Sequence, residues 1–155
     1  IISYNYGAGN LDRVKQAIKM GLIFTVAFFV IVTAILIIFA DPIVSFFSGG
    51  NPELQKLGIW TTVVFNSLFT LNAVSLLISG YFEAQERNWS ATFISVSKML
   101  LFMFPFLFIF PKFWGVEGLL YSYPAAEIPG VLIAIYFMKK EFKRLNDTNV
   151  KTVRL

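Results

Sequence analysis

The chain has 155 residues, of which 57% are hydrophobic, 17% aromatic and 14% charged, with a formal net charge of +4. Soluble domains carry about 25% charged residues, so this composition excludes a soluble globular enzyme with an ordinary surface. The absence of cysteine and histidine excludes disulfides, thiolate or imidazole metal sites and histidine-based catalytic triads. We therefore expect no cofactor and no enzymatic activity.

The first element is a glycine-rich turn that leads into a basic helix, "YNYGAGNLDRVKQAIKMG", from Tyr4 to Gly21. A dinucleotide-binding loop needs a preceding strand and a third glycine, and a Walker loop needs Lys-Ser or Lys-Thr after its last glycine. Residues 7–10 have none of these features. The stretch predicts a tight turn at the membrane surface and a helix that begins at Leu11, with Asn10 as its cap.

Four apolar stretches are long enough to cross the hydrocarbon core, which takes about 20 residues of helix. They are residues 20–40, 57–82, 90–110 and 118–138. The last two contain one charged residue each, Lys98 and Glu127, and the sequence Asn51-Pro52-Glu53 is typical of a helix start before the second stretch. Because a helix satisfies its own backbone polar groups in lipid, the predicted fold class is an all-α membrane protein with four transmembrane helices.

Lysine and arginine are distributed unequally over the predicted loops. With four spans, one side of the membrane holds the two ends of the chain and the middle loop, with Arg13, Lys15, Lys19, Arg87, Lys139, Lys140, Lys143, Arg144, Lys151 and Arg154. The other side holds Lys56 and Lys112. Because cytoplasmic loops carry the excess of basic residues, we expect a multi-pass protein of the cell (plasma) membrane with both ends cytoplasmic. Since the aromatic residues lie in the bilayer, we expect no nucleic-acid partner.

Three stretches carry a family resemblance, and they follow one another in order. They are "IISYNYGAGNLDRVKQAIKMG", "GYFEAQERNWSATFISVSKMLLFMFPFLFIFP" and "GVEGLLYSYPAAEIPGVLIAIYFMKKEFKRL". They resemble the C-terminal lobe of multidrug and toxic compound extrusion (MATE) transporters. The resemblance implies that residues 1–145 are helices nine to twelve of a twelve-helix, two-lobed bundle. Residues 146–155 belong to the polar, basic end of the chain and are expected to be a flexible cytoplasmic tail. The chain, which begins at Ile1, is then expected to be a fragment whose partners are the first lobe and helices seven and eight.

The same resemblance implies an antiporter that exports small lipophilic, drug-like and often cationic compounds in exchange for H⁺ or Na⁺ by alternating access. Some branches of the family use a carboxylate in helix ten, but residues 57–82 contain none. Two other interpretations stay open. One is a lipid flippase of the same superfamily, which prefers a cavity rich in basic residues. The other is a self-assembling four-helix membrane scaffold or subunit.

Glu127 and Lys98 are the candidates for ion coupling. Glu127 lies near the middle of the last span, between Pro124 and Pro129, and an ionisable residue at that depth is costly and marks a functional site by default. The alternative is a structural carboxylate bonded to a neighbouring helix. Lys98 lies at a comparable depth, at about 1.5 Å of rise per residue, and is the natural partner of Glu127. Snorkelling of Lys98 to the cytoplasmic surface is the interpretation that we favour.

Polar residues of the second span are candidates for the wall of a substrate cavity. They follow helical spacing on two faces and comprise Thr62, Asn66, Thr70, Asn72 and Ser75. Hydrogen bonding between helices is the more common use of such residues in a membrane.

Overall fold

The computed structural model describes the backbone of residues 1–153 and the side chains of residues 1–147. Its helices are α1 (Ile2–Gly7), α2 (Leu11–Ile38), α3 (Ala40–Ser48), α4 (Pro52–Asn66), α5 (Phe69–Ala84), α6 (Asn88–Ser97) and α7 (Phe104–Val153), with a π-helical turn at Lys98–Met103 between α6 and α7. The predicted all-α class is confirmed. Arg154 and Leu155, the end of the predicted tail, lie outside the described residues, and the flexibility of residues 146–155 stays a prediction.

Helices of membrane-crossing length make up most of the described chain. Two helical runs are long and apolar enough to cross a membrane, α2 and the 60-residue run Asn88–Asp147. Helices α4 and α5 meet at an angle of 41°, and together they count as a third membrane-crossing helix if the bent pair is taken as one span. The second predicted span is therefore broken at Ser67 and Leu68 rather than straight.

The run that begins at Asn88 is a helical hairpin. A straight helix of that length would measure roughly 90 Å, about three times the thickness of the hydrocarbon core. The chain reverses at Gly115, where φ is 56° and ψ is −137°, a conformation that glycine alone adopts without strain. Across the hairpin, the rings of Phe93 and Phe137 lie 5.7 Å apart. Residues 88–114 and 116–147 are thus two antiparallel arms, which contain the third and fourth predicted stretches, residues 90–110 and 118–138.

A proline distorts the first arm next to Lys98. Pro105 has no N–H, and its ring clashes with the carbonyl four residues earlier in a regular helix. That carbonyl belongs to Leu101, inside the π-helical turn Lys98–Met103. The wider turn relieves the clash, and Lys98 projects from its first position.

The turn at the start of the chain is confirmed, but its predicted cap is not. Helix α1 ends at Gly7 and α2 begins at Leu11, with Gly9 at a φ of +74°. Asn10 occupies the cap position of α2, yet its side chain makes no capping hydrogen bond. Its backbone N–H instead donates to the carbonyl of Asn5 at 2.8 Å, which closes the turn through the main chain.

The predicted helix start at Asn51 is confirmed and supports a stability prediction. The Asn51 side chain accepts from the backbone N–H groups of Glu53 at 3.0 Å and Leu54 at 3.3 Å. Asn51→Ala is expected to lower the free energy of unfolding by about 1 kcal/mol, measured by thermal unfolding in detergent. Asn10→Ala is the matched control and is expected to change it by less than about 0.5 kcal/mol. Equal losses in both variants would contradict the assignment.

The tightest packing lies at one end of the bundle, here called the packed end. A buried cluster joins the start of α2, the end of α5, the start of α6 and the second hairpin arm, and it comprises Leu11, Val14, Ile18, Ile78, Tyr81, Phe82, Ala91, Ile94, Ala134, Met138 and Leu145. Away from that end, large apolar side chains such as Phe46, Phe47 and Phe113 are exposed. Such side chains suit contact with lipid or with further helices.

Candidate functional site

Glu127 lies in α7 between Pro124 and Pro129 and is 1% exposed. The Lys98 ammonium donates to both of its carboxylate oxygens, Oε1 at 3.2 Å and Oε2 at 3.3 Å. Our preferred interpretation of Lys98 as a snorkelling residue is therefore wrong, and the structure has the Lys98–Glu127 pair instead. Because an unpaired charge inside a membrane protein is very costly, each of the two residues makes the other tolerable.

Two further polar side chains complete what we call the Glu127 cluster. Asn72 of α5 donates through Nδ2 to Glu127 Oε1 at 2.9 Å and lies 3.5 Å from the hydroxyl of Tyr123. The ring of Tyr123 stacks on Phe65 of α4 at 5.2 Å. The cluster (Asn72, Lys98, Tyr123 and Glu127) therefore connects α5 with both hairpin arms, and Phe65 supports it from α4.

The Glu127 cluster lies far from either end of the hairpin. At about 1.5 Å per residue, Glu127 is roughly 18 Å from Gly115 and roughly 21 Å from Glu141 along its arm. A bilayer that the hairpin crosses from end to end, with a hydrocarbon core about 30 Å thick, would have the ion pair near its middle. A charged pair at that depth is typical of ion and substrate pathways.

A cavity of about 270 Å³ opens beside the cluster. Its walls include Asn72, Ser75, Ser95, Lys98, Met99 and Met103, so Lys98 both contacts Glu127 and lines the cavity. The Lys98 side chain is 23% exposed, whereas that of Glu127 is 1% exposed. The site therefore combines a buried carboxylate, the lysine that is paired with it, and a space beside that lysine.

The polar residues of the second span divide into two groups. Asn72 and Ser75 lie on the cavity wall. Thr62, Asn66 and Thr70 lie outside these walls and near the bend between α4 and α5, where the Asn66 side chain donates to the Thr62 carbonyl at 2.8 Å. The role of all five in binding a substrate stays a prediction.

A second polar cluster, which sequence reasoning missed, lies at the packed end. Glu141 is 2% exposed, and its carboxylate accepts from Tyr81 at 3.0 Å, from Arg144 at 2.6 Å and from Arg87. Arg144 also donates to the hydroxyl of Tyr6 at 2.9 Å. This Glu141 cluster ties α1, α5, the turn before α6 and the second arm together. The three-residue spacing of Glu141 and Arg144 was its one visible signal.

The helical bundle, with a buried ion pair whose lysine lines a largely apolar cavity, is typical of a multi-pass membrane protein of the transporter class. The family model described as "MurJ: Lipid II flippase MurJ" matches residues 1–154. The chain belongs to this family of MATE-type transporters.

Individual relatives agree with that assignment. The chain is 26% identical over 152 residues to a protein of Shewanella oneidensis named "FAD transporter", covering 98% of this chain and 33% of the relative. It is 23% identical over 145 residues to the "Multidrug export protein MepA" of Staphylococcus haemolyticus, covering 94% and 31%. The chain therefore spans about a third of the length of the curated relatives that it matches.

Solved structures show the same fold. The Vibrio cholerae MATE transporter VcmN in its bent form matches 94% of this chain with a TM-score of 0.83 and 19% sequence identity, over 33% of its own length. A mutant of the same transporter matches 92% of this chain, also with a TM-score of 0.83. The described helices are thus arranged as in part of a MATE transporter.

Proposed function

We propose that the chain is part of a MATE-type exporter that moves small lipophilic, cationic compounds out of the cell in exchange for H⁺ or Na⁺, with Glu127 as the coupling residue. The observation that carries this proposal is the contact of Lys98 with both oxygens of Glu127 on the edge of a cavity. The similarity to the multidrug export protein MepA supports the same activity.

The chemistry of the pair provides a coupling step. A carboxylate at this depth has to be neutralised by a neighbouring cation, a proton or a bound ion. While Lys98 neutralises Glu127, the cavity wall carries no net charge from the pair and can accept a cationic compound. When an ion from outside neutralises Glu127 instead, the ammonium loses its partner and the wall becomes positive. A positive wall repels the cationic compound and favours its release.

The remaining parts of the proposal follow the charge pattern of the chain. The basic residues flank the packed end, so we propose that this end faces the cytoplasm and that the protein resides in the cell inner membrane. A first lobe and two further helices would close the cavity and supply the alternating access. Relatives about three times as long as this chain support this arrangement over a self-assembling four-helix scaffold.

A lipid flippase is the second candidate, and two observations favour it. The matching family is described as a lipid flippase, and the cavity wall carries a lysine, whose ammonium can bind a phosphate as a point charge. In that case the transported compound is an anionic lipid, and its movement depends on the positive charge of Lys98 rather than on Glu127.

Glu127→Gln tests the exporter. The full-length protein is expressed in cells that lack other exporters, and the accumulation of a fluorescent lipophilic cation is measured. We expect Glu127→Gln to reduce export by about tenfold or more, because an amide cannot bind or release the coupling ion. Glu117→Gln, an exposed position after the hairpin turn, is the matched control and should export normally. Normal export by a well-folded Glu127→Gln variant would contradict the proposal that Glu127 couples ion movement to export.

A further inference from the structure

We infer that Lys98 sets the ion specificity of the Glu127 site: its ammonium is a tethered cation that excludes sodium and makes the proton the ion that Glu127 exchanges. The inference rests on the proposed antiport for its transport readout, whereas its binding readout is independent of transport. It begins from the groups that surround the carboxylate.

The groups in contact with the carboxylate suit an anion, not a sodium site. Lys98 donates to both oxygens, at 3.2 and 3.3 Å, and Asn72 adds a third N–H donor at 2.9 Å. Sodium sites in transporters are built from oxygen atoms, including carbonyls of unwound helix. A sodium ion that bridged the two carboxylate oxygens would need the position that the Lys98 ammonium occupies. A proton needs one lone pair of one oxygen, so it can add without that space.

The fold holds the Lys98 stem in place through a glycine on the opposite arm. A Cβ atom at Gly130 would lie 2.8 Å from Lys98 Cγ, 2.9 Å from Cδ and 3.2 Å from Cβ. The stem therefore lies directly on the backbone of Gly130, where any side chain would push it away. This contact involves the root of the lysine side chain, so the position of the ammonium over Glu127 depends on both arms.

Few charged or polar side chains lie close enough to neutralise or hydrogen-bond the Glu127 carboxylate. Among the described residues of the cluster, Lys98 faces Glu127 from the first arm, Asn72 faces it from α5, and Tyr123 lies one turn earlier in α7, with its hydroxyl near Asn72. Lys98 is thus the cation in contact with the carboxylate. Its removal leaves the carboxylate oxygens of Glu127 and the hydroxyl of Tyr123, and oxygen atoms are the ligands that a hard cation prefers. The Asn72 amide, which donates through Nδ2 to the carboxylate, would have to turn its oxygen toward such a cation.

The binding test uses the full-length protein purified in detergent, in NaCl or in choline chloride at equal ionic strength. Thermal unfolding is measured across a sodium titration. The wild type is expected to show the same melting temperature in both salts. Lys98→Met, which keeps most of the apolar stem, is expected to be stabilised by sodium with at least about a tenfold gain in apparent affinity. Gly130→Ala should shift in the same direction by less, because it displaces the ammonium and retains the charge.

Lys140→Met, outside the predicted spans, is the matched control and should behave as the wild type. The double variant Lys98→Met/Glu127→Gln should lose the sodium stabilisation expected of Lys98→Met, because the carboxylate is gone. If Lys98→Met does not fold, Gly130→Ala decides the question. Sodium stabilisation of the wild type would overturn the inference. A second outcome would also overturn it: a folded Gly130→Ala variant whose melting temperature does not depend on sodium, together with a Lys98→Met variant that likewise shows no dependence or does not fold.

The transport test uses proteoliposomes with separately imposed gradients. Export of a lipophilic cation by the wild type should follow a pH gradient and should not respond to a sodium gradient at constant pH. Export driven by sodium alone would overturn the inference while leaving the proposed antiport intact. Absence of export under every gradient would remove the proposed function instead, and the sodium titration would still decide the role of Lys98.

Discussion

Neutralising one member of the Lys98–Glu127 pair is expected to destabilise the protein more than neutralising both. Lys98→Met leaves a buried carboxylate without its cation, and Glu127→Gln leaves an ammonium without its anion. Breaking a buried pair from one side costs about 3–5 kcal/mol, whereas replacing both members is often nearly neutral. We therefore expect the double variant to recover most of the loss of either single variant.

Thermal unfolding in one detergent and in sodium-free buffer measures this double-mutant cycle. Lys112→Met and Glu117→Gln are controls, because both residues are exposed near the hairpin turn, and each should change the free energy of unfolding by less than about 0.5 kcal/mol. A double variant whose loss equals the sum of the two single losses would mean that the two charges do not interact.

Glu141→Gln is expected to loosen the packed end of the bundle. Glu141 is buried and accepts hydrogen bonds from Tyr81, Arg87 and Arg144, and hydrogen bonds to a charged group are worth about 1.5–3 kcal/mol each. The two arginines are partly exposed and regain water when the charge is removed. The expected net loss is therefore about 2–3 kcal/mol.

Hydrogen exchange localises the effect of Glu141→Gln. The amides of residues 85–87, in the turn that carries Arg87, should exchange faster, while those around Gly115 at the other end of the hairpin should be unchanged. Glu83→Gln is the matched control, because Glu83 lies at the same end and is exposed. Faster exchange throughout the chain, or an equal effect of Glu83→Gln, would show that Glu141 does not act locally.

Features that depend on neighbours along the chain could be predicted from the sequence. Long apolar stretches predicted the helical membrane class, and the order Asn51-Pro52-Glu53 predicted the start of α4. The cap at Asn10 failed because the residue has a ψ of 61°, outside the extended conformation that N-cap residues usually adopt. The break at Ser67 and Leu68 contains no glycine or proline that would have predicted it. The apolar composition of residues 57–82 therefore predicted one helix where the structure has α4 and α5.

Features that depend on the register between helices were harder to predict. Lys98 snorkels or pairs according to what faces it, and the hairpin register that brings Glu127 opposite Lys98 depends on the reversal at Gly115 and the π-helical turn before Pro105. The contact of Asn72 with Glu127 depends on how α5 packs against the hairpin. Arg87 and Glu141 lie far apart in the sequence, and both resembled ordinary solvated charges at helix ends.

The reversal at Gly115 also has a consequence for biosynthesis. Lys98 and Glu127 belong to the two arms of one hairpin, so they leave the ribosome close together in time and can pair before α2 or α5 is packed against them. A single charged residue at the centre of an inserting helix costs about 2.5–3.5 kcal/mol. When the arms enter the lipid as one unit, each charge arrives with its counterion. The ion pair thereby lowers the free-energy cost of inserting both arms into the membrane, and this effect is independent of any role of the pair in transport.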